Sequence, residues 1–134
     1  MLLRIEHLGI AVDSLAESIP LYEALLNTPC YKQEEVGSEG VMTAFFQVGP
    51  NKIELLEATR DDSPIAKFIE KRGEGIHHIA FAVDNIEMEI ERLQAKGYRL
   101  INEVAKKGAD KKRIAFLHPK SSNGVLIELC QDEQ

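Results

Sequence analysis

Hydrophobic and polar positions alternate in a pattern that occurs twice along the chain. In the first half, residues 4–12 alternate and are rich in β-branched side chains, which predicts a strand. Ser14 followed by Glu17 is typical of a helix start, and Pro20 indicates either a kink or a helix that begins near Ser18. Three more strands are predicted at 30–36, 40–48 and 52–58.

The second half has the same order of elements after a short connecting helix. That helix opens at Ser63-Pro64 and ends at Gly73, because serine caps a helix and proline suits its first turn. Strand 76–83 leads into a helix at 85–96, which Gly97 ends. Strands are then predicted near 98–104, 112–118 and 124–131, with a polar loop from Pro119 to Asn123.

The two halves also match residue by residue. Residues 5–15 lie over residues 76–86 at an offset of 71, and five of these eleven positions are identical. Ile53-Glu54-Leu55 matches Ile127-Glu128-Leu129 at an offset of 74. Such ordered matches indicate a tandem duplication. We predict an α+β fold of two βαβββ modules that form a curled mixed β-sheet around a cleft, with helices outside. Module one covers about 1–60, the linker helix about 63–73 and module two about 75–131.

Composition and charge narrow the classes of function. The 134 residues carry 22 acidic and 16 basic side chains, a net charge of −6, and no tryptophan. An acidic chain without a basic cluster or stacking platform is a poor partner for nucleic acid. No apolar run approaches the roughly 20 residues of a membrane span. Two cysteines and an early-charged N-terminus favour a cytoplasmic protein.

Each module places a histidine in its first strand and a glutamate in its last. These residues are His7 and Glu54 in module one, and His78 and Glu128 in module two. A histidine or glutamate alone would usually be an ordinary strand residue, but four at matched positions need a joint explanation because unpaired buried charge is costly. Two imidazoles and two carboxylates suit a divalent first-row metal with open coordination positions. We therefore predict that the four side chains converge on one metal ion.

Two further histidines compete for this role. His77 faces the opposite side of its strand from His78 and is interpreted as structural. His118 stands at a strand end before Pro119 and is interpreted as a residue at the rim of the cleft.

The paired modules with His and Glu in each resemble the vicinal-oxygen-chelate superfamily, the fold of glyoxalase I and bleomycin-resistance proteins. Within it, three segments resemble the methylmalonyl-CoA epimerase family. They are Asp62–Ile69, then Gly75–Asp84, and Phe116-Leu117-His118-Pro119-Lys120 with Gly124-Val125-Leu126-Ile127-Glu128-Leu129. The resemblance implies that residues 1–134 form a single vicinal-oxygen-chelate domain and that His7, Glu54, His78 and Glu128 bind the metal. It further implies a homodimer and an acyl-CoA substrate.

The resemblance also implies the reaction, the interconversion of (R)- and (S)-methylmalonyl-CoA through a metal-stabilised enolate. Glu128 is expected to act as one base, and Glu54 or a metal-bound water as the other. Some epimerases use a further carboxylate on the strand that here runs Gly40–Phe46, where this chain has no acid. Cobalt is the expected metal, with manganese, nickel, zinc or magnesium as alternatives. A glyoxalase I-type lactoylglutathione lyase and a metal-free small-molecule binding module remain alternative functions.

Overall fold

The computed structural model describes residues 1–133, which contain eight strands and three α-helices. The elements of the first module are β1 (Leu2–Ala11), α1 (Leu15–Leu26), β2 (Lys32–Val36), β3 (Val41–Val48) and β4 (Asn51–Ala58). The connecting helix is α2 (Pro64–Arg72). The second module consists of β5 (Gly75–Val83), α3 (Ile86–Ala95), β6 (Lys106–Lys107), β7 (Lys112–Leu117) and β8 (Ile127–Asp132). None of the helices in this part of the chain is long and apolar enough to span a bilayer.

The chain divides into two compact units, and the first to be described is His7–His77. Its strands lie in the order β2-β3-β4-β1, with β1 parallel to β4 and the other neighbours antiparallel. Helix α1 covers one face of these strands, where Ala44, Phe46 and Leu55 are fully buried. Helix α2 packs through Ile65 on the other face, so both sides of the strands carry an apolar core.

The second unit joins Met1–Glu6 to the chain from His78 onward. Its strands β5, β8, β7 and β6 lie in that order, with β5 parallel to β8. Helix α3 covers the face that carries Ala115, Leu117 and Leu129. The opposite face carries a smaller cluster that includes Ile114 and Cys130.

The internal repeat is visible in the strand register of the two units. In the first unit Glu54 lies beside Gly9 on β1 and opposite Phe45 on β3. In the second unit Glu128 lies beside Ala80 on β5 and opposite Phe116 on β7. The offsets between these equivalent residues are the 71 and 74 found in the sequence. The predicted α+β class and the βαβββ order of both modules are therefore confirmed.

Helix α1 starts at Leu15, because the Ser14 hydroxyl caps it by accepting a hydrogen bond from Glu17 N–H at 3.3 Å, and Pro20 lies inside the helix. The predicted helix start at Ser14 is therefore confirmed, and the alternative start near Ser18 was wrong. Two predicted strands differ from the structure. Residues 98–104 do not form a strand, since the Asn102 side chain takes the Phe116 N–H that a ladder would use. Strand β8 begins three residues later than predicted, at Ile127.

Candidate active site

His7 and Glu54 form a buried pair in the first unit. Strand alternation places His7, Gly9 and Ala11 on one face of β1, and β4 runs parallel beside it. The side chains of His7 and Glu54 meet across the two strands, with Nδ1 of His7 3.1 Å from Oε2 of Glu54. Each residue is only 4% exposed. The residues predicted from the first module are thus in contact.

His78 and Glu128 form the equivalent pair in the second unit. Here Nε2 of His78 lies 3.3 Å from Oε1 of Glu128, and both side chains are buried. The Phe116 ring meets the imidazole edge-on, with 5.8 Å between ring centroids, and packs on the cluster around Cys130. This aromatic contact holds the His78 ring against rotation away from Glu128. The structure therefore brings the four predicted residues together as two pairs, one within each unit.

The electrostatics of each pair follow from burial. A carboxylate that leaves water loses several kcal/mol of solvation unless a positive or hydrogen-bonding partner replaces the water. The neighbouring imidazole supplies such a partner to Glu54 and to Glu128. Both pairs accordingly hold charge-bearing groups in a dry environment, where electrostatic interactions are stronger than at the surface.

The two other histidines lie in different surroundings. His77 packs edge-on against Phe68 of α2, with 5.0 Å between the ring centroids, and burial lowers its pKa to about 4. His118 is half-buried at the end of β7, where its Nδ1 accepts a hydrogen bond from Lys120 N–H at 3.1 Å.

Glu6 and Thr43 are among the buried polar residues that the sequence analysis did not single out. Glu6 is 2% exposed, and one of its carboxylate oxygens lies within 4.8 Å of the Cys130 sulfur. Thr43 is 1% exposed and shares its face of β3 with Phe45, the residue opposite Glu54. A glutamate in an apolar strand and a hydroxyl between Val41 and Phe45 were the available signals. Alternation along β1 places Glu6 on the face opposite His7, and alternation by itself does not predict that both faces are buried.

The donor chemistry of the two pairs fits a divalent metal ion. His7, His78 and Glu128 each offer a ligand atom of the kind that a metal takes, an imidazole nitrogen or a carboxylate oxygen. Nitrogen and oxygen donors without thiolate suit first-row divalent cations and leave positions for a substrate. Burial has already removed most of the water from these donors. The residues present therefore fit the metal that the sequence analysis predicts.

Comparison with known proteins agrees with the fold. A sequence profile of the Glyoxalase/Bleomycin resistance protein/Dioxygenase superfamily matches residues 6–116. The chain is 39% identical over 129 residues to the mitochondrial methylmalonyl-CoA epimerase of Homo sapiens, covering 96% of this chain and 73% of that protein. It is 38% identical over 133 residues to the ethylmalonyl-CoA/methylmalonyl-CoA epimerase of Cereibacter sphaeroides, covering 98% and 99%.

A solved structure has the same fold. A single-residue variant of the Streptomyces coelicolor methylmalonyl-CoA epimerase, in complex with 2-nitronate-propionyl-CoA, superposes with a TM-score of 0.95 at 35% identity. The match covers 98% of this chain and 96% of that chain. The chain belongs to the glyoxalase/bleomycin resistance protein/dioxygenase superfamily and, within it, to the methylmalonyl-CoA epimerase family.

Proposed function

We propose that this protein interconverts (R)- and (S)-methylmalonyl-CoA by removing and returning the proton at the α-carbon. The observation that carries the proposal is the pair of buried His–Glu contacts at equivalent register positions, in a chain that belongs to the epimerase family. A carboxylate held away from water beside a fixed imidazole is suited to proton transfer.

Inversion at carbon requires that the proton leaves one face and that a proton returns to the other. Glu128 acts as one base in this proposal, because Phe116 and His78 fix its surroundings. Glu54, its equivalent in the repeat, or a water molecule acts on the other face. Burial of both carboxylates limits side reactions of the enolate with bulk water.

We further propose that His7, Glu54, His78 and Glu128 together bind one divalent cation, with cobalt expected and manganese, nickel, zinc or magnesium as alternatives. The cation, when bound, would offset the negative charge that develops on the thioester oxygen. Metal content measured after equilibration and desalting tests this part. One ion per chain agrees with a shared site, whereas two ions per chain, one for each His–Glu pair, would contradict it.

The reaction is tested by following α-proton exchange of methylmalonyl-CoA in deuterated water with metal present. We expect deuterium incorporation at the α-carbon together with loss of optical purity. The same preparation is then assayed with the hemithioacetal of glutathione and methylglyoxal, the substrate of the lyase alternative. Lyase turnover without α-proton exchange would overturn the proposal.

We also propose that the protein works in the cytoplasm as a homodimer. Three apolar side chains of β1 are each between two-fifths and just over half exposed: Leu2, Leu3 and Ile5. An apolar stretch of this kind is stabilised by burial against a second copy. Sedimentation equilibrium tests the dimer, and an Ile5→Lys variant that stays a dimer would exclude this strand from the interface.

The cytoplasmic location is supported by the cysteines. Neither cysteine forms a disulfide, which accords with a reducing compartment.

A further inference from the structure

His118 stands on the face of the second unit that carries Glu128. Strand β7 ends with Phe116 opposite Glu128 and Leu117 opposite Ile127, and His118 follows directly. Its backbone is still extended, with φ −68° and ψ 132°. Since alternate residues of an extended chain share a face, the His118 side chain projects on the same side as Phe116, about 7 Å further along.

The His118 ring has a defined orientation. Its Nδ1 accepts the hydrogen bond from Lys120 N–H, and the backbone N–H of His118 donates to the Arg99 carbonyl at 2.8 Å. The same turn is tied down by Ser121, whose hydroxyl accepts from Arg99 N–H at 2.9 Å, and by Ser122, whose hydroxyl donates to the Val125 carbonyl at 2.7 Å. In the neutral imidazole the proton must then reside on Nε2, because Nδ1 is an acceptor. The ring is therefore an oriented hydrogen-bond donor.

We propose that Nε2–H of His118 donates a hydrogen bond to an anionic oxygen of the bound acyl-CoA, which makes His118 a substrate-binding residue. This inference rests on the proposed function. The oxygen belongs either to the free carboxylate of the acyl group or to a phosphate of coenzyme A. The same turn carries the exposed Lys120, whose positive charge favours an anion in both cases. The turn from His118 to Ser122 supplies the rigidity that a single hydrogen bond needs to discriminate ligands.

Two substitutions separate substrate binding from capping of the turn. Asparagine places an oxygen near the position of Nδ1 and keeps the cap on Lys120 N–H, but it has no donor at the Nε2 position. Glutamine places an amide N–H near the Nε2 position and loses the cap. We expect His118→Asn to keep the melting temperature and to weaken acyl-CoA affinity about tenfold or more. We expect His118→Gln to melt lower and to keep affinity within about threefold.

The affinity of methylmalonyl-CoA, measured by calorimetry in the metal-loaded protein, is the primary readout because it does not depend on turnover. The same titration with the methylmalonyl thioester of N-acetylcysteamine, which lacks the phosphates, distinguishes the two oxygens. A loss of affinity in His118→Asn with both ligands assigns the contact to the carboxylate, and a loss confined to the coenzyme A ester assigns it to a phosphate.

An affinity for methylmalonyl-CoA that is unchanged in His118→Asn would overturn the inference. A loss of affinity in His118→Gln without a loss in His118→Asn would overturn it as well. If the wild-type protein binds methylmalonyl-CoA through His118 but exchanges no α-proton, the proposed reaction fails while the binding role stands. If exchange proceeds normally in His118→Asn with unchanged affinity, the binding role fails while the reaction stands.

Discussion

The Nε2 atom of His78 lies 3.3 Å from Oε1 of Glu128, although the two residues are 50 positions apart in the chain. The contact depends on the parallel pairing of β5 with β8, which sets Ala80 beside Glu128 and brings the His78 side chain diagonally across. The same arrangement recurs between His7 and Glu54. Duplication of one module has thus produced two buried acid–imidazole pairs.

Replacement of Glu128 by glutamine should reduce kcat for α-proton exchange by about 100-fold or more. Glutamine has nearly the same shape but cannot accept a proton, and a positioned general base contributes roughly 10²–10⁴-fold. Deuterium incorporation followed by NMR measures the effect. Glu91→Gln, at an exposed position on α3, is the matched control and should retain wild-type exchange. Full activity of a metal-loaded Glu128→Gln protein would exclude Glu128 as a base.

Removal of the metal by a chelator should lower the thermal midpoint of unfolding. A ligand that binds only the folded state adds about 2.7 kcal/mol when its free concentration is 100 times its Kd. Differential scanning calorimetry with and without added cobalt checks this. In a His7→Ala protein the cobalt-dependent shift should shrink or disappear, and an undiminished shift there would place the metal elsewhere.

The imidazole of His77 should make the free energy of unfolding depend on pH. Burial lowers the pKa of His77 from 6.5 to about 4. Between these two pH values the unfolded chain therefore binds a proton at His77 that the folded chain does not bind. The free energy of unfolding should have its full value above pH 6.5 and should fall as the pH drops from 6.5 towards 4. The free energy of unfolding, measured by urea denaturation at several pH values, should fall less steeply with decreasing pH in His77→Phe than in the wild type.

The difference between the two slopes isolates His77 from the other groups that titrate below pH 5. Parallel slopes in the wild type and in His77→Phe would mean that the imidazole is not buried in its neutral form.

Ser63→Ala should destabilise the protein by about 1 kcal/mol. The Ser63 side chain is fully buried and its hydroxyl accepts from Ile65 N–H at 3.0 Å and Ala66 N–H at 3.4 Å, capping α2. Loss of an N-cap typically costs about 0.5–2 kcal/mol. Chemical denaturation measures the change. Ser38→Ala, at an exposed serine, is the control and should have almost no effect.

Most of the architecture could be predicted from the sequence because the duplicated pattern constrains it twice. The strand–helix–strand order, the Ser63 cap and the Gly73 helix end all rest on local preferences that the structure retains. The strand predicted at 98–104 failed because Asn102 forms a hydrogen bond to the backbone of β7, fourteen residues away. A hydropathy pattern contains no information about such side-chain competition for backbone groups.

The candidate site was predictable in its residue types but not in its contacts. The repeat identified His7, Glu54, His78 and Glu128, whereas the buried Glu6 and Thr43 gave only weak local signals. That neutral His118 presents its proton on Nε2 depends on the Lys120 N–H, a contact that only the folded turn defines.

The duplication, the element order and the four residues of the two His–Glu pairs could therefore be inferred from the sequence, because they follow from periodicity and from matched spacing. The tertiary structure decided which atoms meet, how deeply they are buried and which polar groups compete with the strand ladders. Those properties arise from pairing between residues tens of positions apart, and the free energy of that pairing depends on packing and desolvation in the folded chain.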